Sequence, residues 1–198
     1  MALAMLFPGQ GSQSIGMLAE LANEFPQVND TFAEASDALG YDLWNMCQHG
    51  PESELNLTRH TQPAMLVAGV ACARVWSAAG GADPAVVTGH SLGEYSALVV
   101  AGSLEFADAA ALVGLRGELM QAATPGDEGA MAAIIGMDNA AIEALCIELA
   151  AGEVVEPVNY NAPGQVVIAG HRTAVERVVA AAPEHGAKLC KILAVSVP

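Results

Sequence analysis

"VVTGHSLGEYSAL", residues 86–98, runs two valines into a serine held between two glycines and then into a stretch with helical character. A strand that feeds a helix through so short a turn leaves its middle residue, Ser91, on a strained bend. Gly89 and Gly93 remove the side chains that would collide where strand and helix approach. The hydroxyl is thereby exposed at the tip. The helix that follows brings the positive end of its dipole, and the Leu92 N–H is placed to stabilise an oxyanion on an attacked carbonyl. Acyl transfer is the reaction this geometry serves. A Gly-x-Ser-x-Gly pattern arises by chance, so its weight comes from context: "PAVVT" before it reads as a buried strand and "LGEYSALVVAG" after it as an apolar helix. The bland alternative is a glycine turn with a solvent-facing serine.

Working outward, residues 1 to about 123 alternate strand and helix, with a strand from Leu3 to Phe7, a glycine loop, and helical stretches around 26–39 and 63–79. That alternation predicts an α/β arrangement. "TPGDEG", 124–129, is the linker candidate, because Pro, Gly and paired acids do not extend the preceding helix. Beyond it "AMAAIIGM" reads as a strand and "DNAAIEALCIELA" as a helix capped by Asp138. Next come "VVEPVNYN" and "QVVIAG" as strands joined through "APG", "TAVERVVAAA" as a second helix and "AKLCKILAV" as a last strand. The order is β-α-β-β-α-β, a ferredoxin-like unit. Thr173 followed by Glu176 reads as a capping box at the start of the second helix.

Composition narrows the function classes. With 53% hydrophobic and 15% charged residues, the chain buries a core and is not disordered. A net charge of −15 argues against nucleic acid and anionic membrane as partners, which leaves small molecules or a locally recognised protein. Cys47, Cys72, Cys146 and Cys190 are scattered without metal or redox spacing, each among apolar residues as buried thiols are, so neither a metal site nor a disulfide framework is expected. "MALAMLFPGQG" has no basic leader and its apolar run breaks at Pro8, while no later run is long enough to span a bilayer. A cytoplasmic protein is the expectation.

Arg116 is the second informative residue. In "EFADAAALVGLRGELMQAA" its helical neighbours at 112, 113, 119 and 120 are apolar, which puts a cation on an apolar stripe. None of the four is acidic, so the guanidinium needs a carboxylate from elsewhere in the fold or from a ligand, unless it snorkels to the helix edge.

"FPGQGSQ" near the N-terminus, "TQPA" at 61–64, "GHSLGEYSAL" at 89–98, "RGELM" at 116–120 and "NAPGQVVIAG" at 161–170 together resemble the malonyl-CoA:acyl carrier protein transacylases, from end to end of the chain. The resemblance implies that Ser91 carries malonyl as an ester, that Gln10 supplies a second oxyanion donor beside Leu92, and that Arg116 grips the free carboxylate of malonate. It implies a hydrolase-like parallel-sheet large domain with an inserted ferredoxin-like subdomain, which divides the chain into 1–125, 126–196 and a return to the large domain at 197–198. Malonyl-CoA and acyl carrier protein are the implied partners, with no cofactor and a monomeric state expected. Asn161 and Gln165 fall in the hairpin motif, where a polar turn accounts for both. Carrier proteins are acidic, so docking is expected on a local basic patch formed by Arg172, Arg177, Lys188 and Lys191.

A serine nucleophile needs a base. His90 adjoins Ser91 but projects elsewhere in a tight turn and is expected to pack on the core. His49 and His60 lie in loop-like polar stretches, and His171 and His185 in turns. In the resembling family the catalytic histidine follows a strand like "ILAVSVP", so the base is expected beyond Pro198. Two other classes stay open: a serine esterase or thioesterase, which would release free malonate, and a non-catalytic carrier-binding fragment, which would leave Ser91 unacylated.

Overall fold

The computed structural model describes residues 2–123 and 128–193. The chain forms two units, residues 1–121 and 122–198.

In the first unit, β1 (Ala4–Phe7) pairs in parallel with β2 (Val86–Gly89), with Phe7 opposite Gly89. A parallel pair needs a long crossover, and α1 (Ala19–Glu24), α2 (Pro26–Leu39), α3 (Leu43–His49), α4 (Glu52–Leu55) and α5 (Thr58–Ala78) supply it. α2 starts on Pro26, whose fixed φ suits a first helical position, and stops at Gly40 in the left-handed region. Between them Val28, Thr31, Phe32 and Ala35 form one buried stripe that packs with α5. α5 begins five residues before the predicted position 63 and passes through Pro63. Burial of Thr61, Gln62, Ala64, Leu66, Val67 and Ala71 overrides the hydrogen bond that the proline forgoes. β2 then leads into α6 (Gly93–Val100), followed by α7 (Phe106–Ala123).

The expectation of a buried β2 is corrected. Its residues alternate between exposed and half-buried, with Val86 at 58% exposure and Leu6 of β1 at 74%. Among the described residues this sheet has two strands, so part of its apolar surface has no covering element. The cysteine reading is corrected for half of its members. Cys47 and Cys146 are buried, and desolvation pushes their thiols up to about 12 and about 11, but Cys72 is exposed and Cys190 half-buried.

The second unit closes on itself. β3 (Gly129–Ile135), β4 (Val155–Ala162), β5 (Gln165–His171) and β6 (Leu189–Ile192) form an antiparallel sheet in the order β4-β5-β3-β6, the ferredoxin-like order, with α8 (Asn139–Leu149) and α9 (Arg172–Ala181) packed on it. β3 alternates as an antiparallel strand with one covered face should: Ala130, Ala132 and Ile134 are buried beside Ile142, Ile168, Val175 and Val178. Pro163 and Gly164 make the β4–β5 loop, Gly164 at φ 73, and Asn161 and Gln165 flank it on the surface. Asp138 caps α8 as predicted, accepting from the Ala140 N–H at 2.9 Å. The capping box does not form. α9 starts after His171 without a side-chain cap, and the Thr173 hydroxyl donates instead to the Glu153 carboxylate at 2.6 Å, a charge-assisted bond stronger than a neutral cap. Residues 124–127 of the linker candidate, Ala194 and Val195 of the last predicted strand and the return at 197–198 lie outside the described residues, while Gly129 of the linker candidate already belongs to β3.

Candidate active site

Ser91 occupies the left-handed region at φ 52, a backbone conformation that disfavours any residue with a Cβ and recurs where strain serves a site. The two glycines show what holds it there. A Cβ on Gly89 would stand 1.9 Å from the Gly93 carbonyl carbon, and one on Gly93 would stand 2.1 Å from the Phe7 carbonyl oxygen. β1, β2 and the start of α6 therefore meet backbone to backbone, and the serine between them is exposed while Leu92 is buried. After the elbow, the N–H groups of Gly93, Glu94 and Tyr95 are bonded to the carbonyls of His90, Ser91 and Leu92. The N–H of Leu92 has no backbone acceptor among the described residues, which leaves it open to an oxyanion.

Arg116 reaches this serine from α7. Its Nη2 donates to Ser91 Oγ at 3.2 Å, its Nη1 donates to Gln62 Oε1 at 2.5 Å, and its guanidinium carbon lies 5.8 Å from the centre of the Tyr95 ring. The apolar-stripe reading needs correction, since Leu112 is exposed and Leu119 is 63% exposed, leaving Val113 and Met120 as its inward neighbours. Arg116 thus sits at the edge of the buried face, half-buried, and turns along the surface to the elbow. Among the described residues no carboxylate pairs with it. Gln10 joins the same group from the loop after β1, with Oε1 accepting from Gln62 Nε2 at 3.2 Å and Nε2 donating to Thr58 Oγ1 at 3.4 Å. Its side-chain amide is thus tied into the group, and its backbone N–H is among the donors it can offer an oxyanion.

Sequence reasoning missed Gln62. Its signal was a polar side chain entering the apolar run "AMLVAGVA", and a helical pattern reports such a side chain's face without naming its partner.

Each histidine has its own surroundings. His60 turns Nδ1 to the Glu54 carbonyl at 2.9 Å, His171 Nδ1 accepts from the Val154 N–H at 2.9 Å, and His49 and His185 are exposed. His90 is exposed and faces the Gly9 loop, which corrects the expectation that it packs on the core; its N–H is used by the Phe7 carbonyl. Ser91 Oγ is partnered by Arg116. Of the four cations expected to dock a carrier protein, Arg177 is committed to the fold: it donates to the Leu149 and Ala150 carbonyls and to Glu153 at 2.8 Å. Lys188 and Lys191 are exposed, and Arg172 is half-buried. Among the described residues no three His, Cys, Asp or Glu side chains converge as a metal site would require, and no helix is long and apolar enough to cross a membrane.

Comparison with known proteins gives one result throughout. The "Malonyl CoA-acyl carrier protein transacylase" of Escherichia coli (strain K12) is 61% identical over 98% of this chain and 63% of the relative, and that of Bacillus subtilis (strain 168) is 45% identical over 99% and 62%. The solved malonyl CoA-acyl carrier protein transacylase of Coxiella burnetii superposes with a TM-score of 0.96 at 54% identity, covering 100% of this chain and 63% of that one. A malonyl-transacylase solved in complex with a type II PKS acyl-carrier protein superposes with a TM-score of 0.95 at 60% identity, over 100% and 64%. The chain spans about 63% of the length of these relatives. The family model described as "Acyl transferase domain" matches residues 4–197, and with the strained elbow serine and its arginine inside that span, this chain belongs to the acyl transferase domain family.

Proposed function

We propose that the protein moves a malonyl group from CoA to the pantetheine thiol of acyl carrier protein, in fatty acid synthesis, through an ester on Ser91. The observation that carries this reading is Arg116: a guanidinium 3.2 Å from the nucleophile whose partners among the described residues are all neutral. A half-protected cation without a counter-charge calls for an anionic substrate group, and malonyl has one carboxylate beyond its thioester. Paired with Arg116, that carboxylate holds the thioester carbonyl at Ser91. The oxygen attacks, the carbonyl oxygen becomes an oxyanion received by the N–H groups of Leu92 and Gln10, and collapse breaks the C–S bond so that CoA leaves as the thiol with the serine proton. The carrier thiol then attacks the ester, and Ser91 leaves with the thiol proton.

The proton needs a carrier between these steps. We assign that role to a histidine outside residues 1–198, an assignment supported by the other engagements of His60 and His171 and the greater length of the relatives. Of the cations expected to meet an acidic carrier protein, Lys188 and Lys191 are exposed. Unpaired thiols at all four cysteines suit a cytoplasmic location.

The test is the intact mass of the full-length protein after mixing with malonyl-CoA. One malonyl addition, mapped to Ser91 and lost in Ser91→Ala with transfer down by about a thousandfold or more, is expected. An adduct on another residue overturns the assignment of the nucleophile, and free malonate as the main product makes the protein a hydrolase.

A further inference from the structure

The glutamine of "TQPA" has no part in the reaction as written, yet it lies at the centre of the site. Gln62 is fully buried, one of five buried polar side chains among the described residues, and it is bonded on both sides of its carboxamide. The polarity of that arrangement is forced. Arginine has donors and no acceptor, so the Gln62 atom that meets Arg116 Nη1 has to be Oε1. Nε2 is then left facing Gln10 Oε1 at 3.2 Å and Met120 Sδ at 3.0 Å. Gln10, having spent its oxygen, turns its own Nε2 to the Thr58 hydroxyl. One donor-only side chain thus sets the direction of a chain of bonds running from Ser91 through Arg116 and Gln62 to Gln10 and Thr58.

We propose that Gln62 is a positioning residue that aligns the carboxylate-binding arginine and the oxyanion loop as one hydrogen-bonded unit; this rests on the acyl-transfer reading above. Two features of the side chain fit the task. A planar guanidinium pinned at Nη1 keeps Nη2 aimed at the nucleophile, which is where the acyl group arrives. A carboxamide also orients the guanidinium without neutralising it, whereas a carboxylate at position 62 would occupy the charge that the substrate needs. Because the opposite end of the same carboxamide holds the Gln10 side chain, the loop carrying the Gln10 N–H keeps its place beside the elbow.

The test uses the full-length protein and compares transfer from malonyl-CoA with transfer from acetyl-CoA, thermal melting being followed in parallel. Gln62→Glu keeps the size and supplies an internal counter-ion, and it is expected to lower kcat/KM for malonyl about tenfold or more relative to acetyl. Gln62→Met removes both bonds; combined with Arg116→Ala, it should lower the malonyl-to-acetyl ratio by no more than Arg116→Ala alone, since Gln62 acts on that ratio through Arg116. Equal losses for both acyl donors in Gln62→Glu, or a double variant whose ratio falls by the product of the two single effects, would overturn the proposal and make Gln62 a packing residue. If Gln62→Met does not fold, Gln62→Glu decides alone. A wild-type protein that loads no malonyl would sink the function reading instead. The coupling between positions 62 and 116, measured on the acyl donor it does load, would still decide this inference.

Discussion

Arg116 in the first unit and Arg177 in the second are both half-buried helical arginines, and they are partnered in opposite ways. Arg177 bonds the Glu153 carboxylate and the last carbonyls around the end of α8, so its charge is spent on holding the fold, and the Thr173 hydroxyl bond, with Arg177 beside it, holds Glu153 below the usual carboxylate range. Arg116 is held as firmly in direction, but by an amide, a hydroxyl and an aromatic ring. An arginine that serves stability is matched inside the protein. Arg116, proposed to serve a substrate, is aimed and meets no carboxylate among the described residues. The sheets repeat the contrast. β3 and β5 are each paired on both sides by antiparallel strands, whereas β1 and β2 form a parallel pair across five helices and meet α6 through glycines.

The largest test of that contrast is Gly93→Ala. The added methyl would have to occupy space 2.1 Å from a backbone oxygen that no side-chain rotation can clear, so a loss of about 3 kcal/mol or more is expected. Hydrogen exchange should show protection falling in β1, β2 and α6 while β3 to β5 keep theirs. Even loss across both sheets would mean that the two units do not answer separately.

Arg116→Ala comes next. If Arg116 grips the malonyl carboxylate as proposed, losing a pairing of about 1.5–3 kcal/mol should lower malonyl transfer by about ten- to a hundredfold more than acetyl transfer, with melting nearly unchanged. A lowered melting temperature with an unchanged acyl preference would place Arg116 in the same class as Arg177.

Arg177→Ala should do the reverse and do less. With the side chain 37% exposed, solvent screens the ion pair, so the change costs about 1 kcal/mol, mostly through the carbonyls at the end of α8. Melting of the second unit falls slightly, and the ratio of malonyl to acetyl transfer stays where it was.

Much of this was legible beforehand, for local reasons. The bend at Ser91 follows from glycines placed two residues to either side of it, and its φ of 52 is the consequence. The α2 boundaries follow from Pro26 and Gly40, the α8 cap from Asp138, and the β4–β5 loop from Pro163 and Gly164. Expectations failed where a residue had two local options and a distant partner chose. Thr173 had Glu176 within reach for a capping box and took Glu153 from the turn between α8 and β4. Pro63 marked a helix start by its own chemistry, and burial of α5 ran the helix past it.

The sequence by itself determined the β-α-β-β-α-β order of the second unit, the strained serine elbow of the first, and an arginine set among apolar residues, because glycine sterics, capping and periodicity act within a few residues, while the short helices α1, α3 and α4 went unread. Only the tertiary structure decided which way that cation faces and what holds it. Arg116 meets Ser91 and Gln62 across 25 and 54 residues of chain, and the pairing is fixed by directional hydrogen bonds between donors and acceptors that no local pattern brings together.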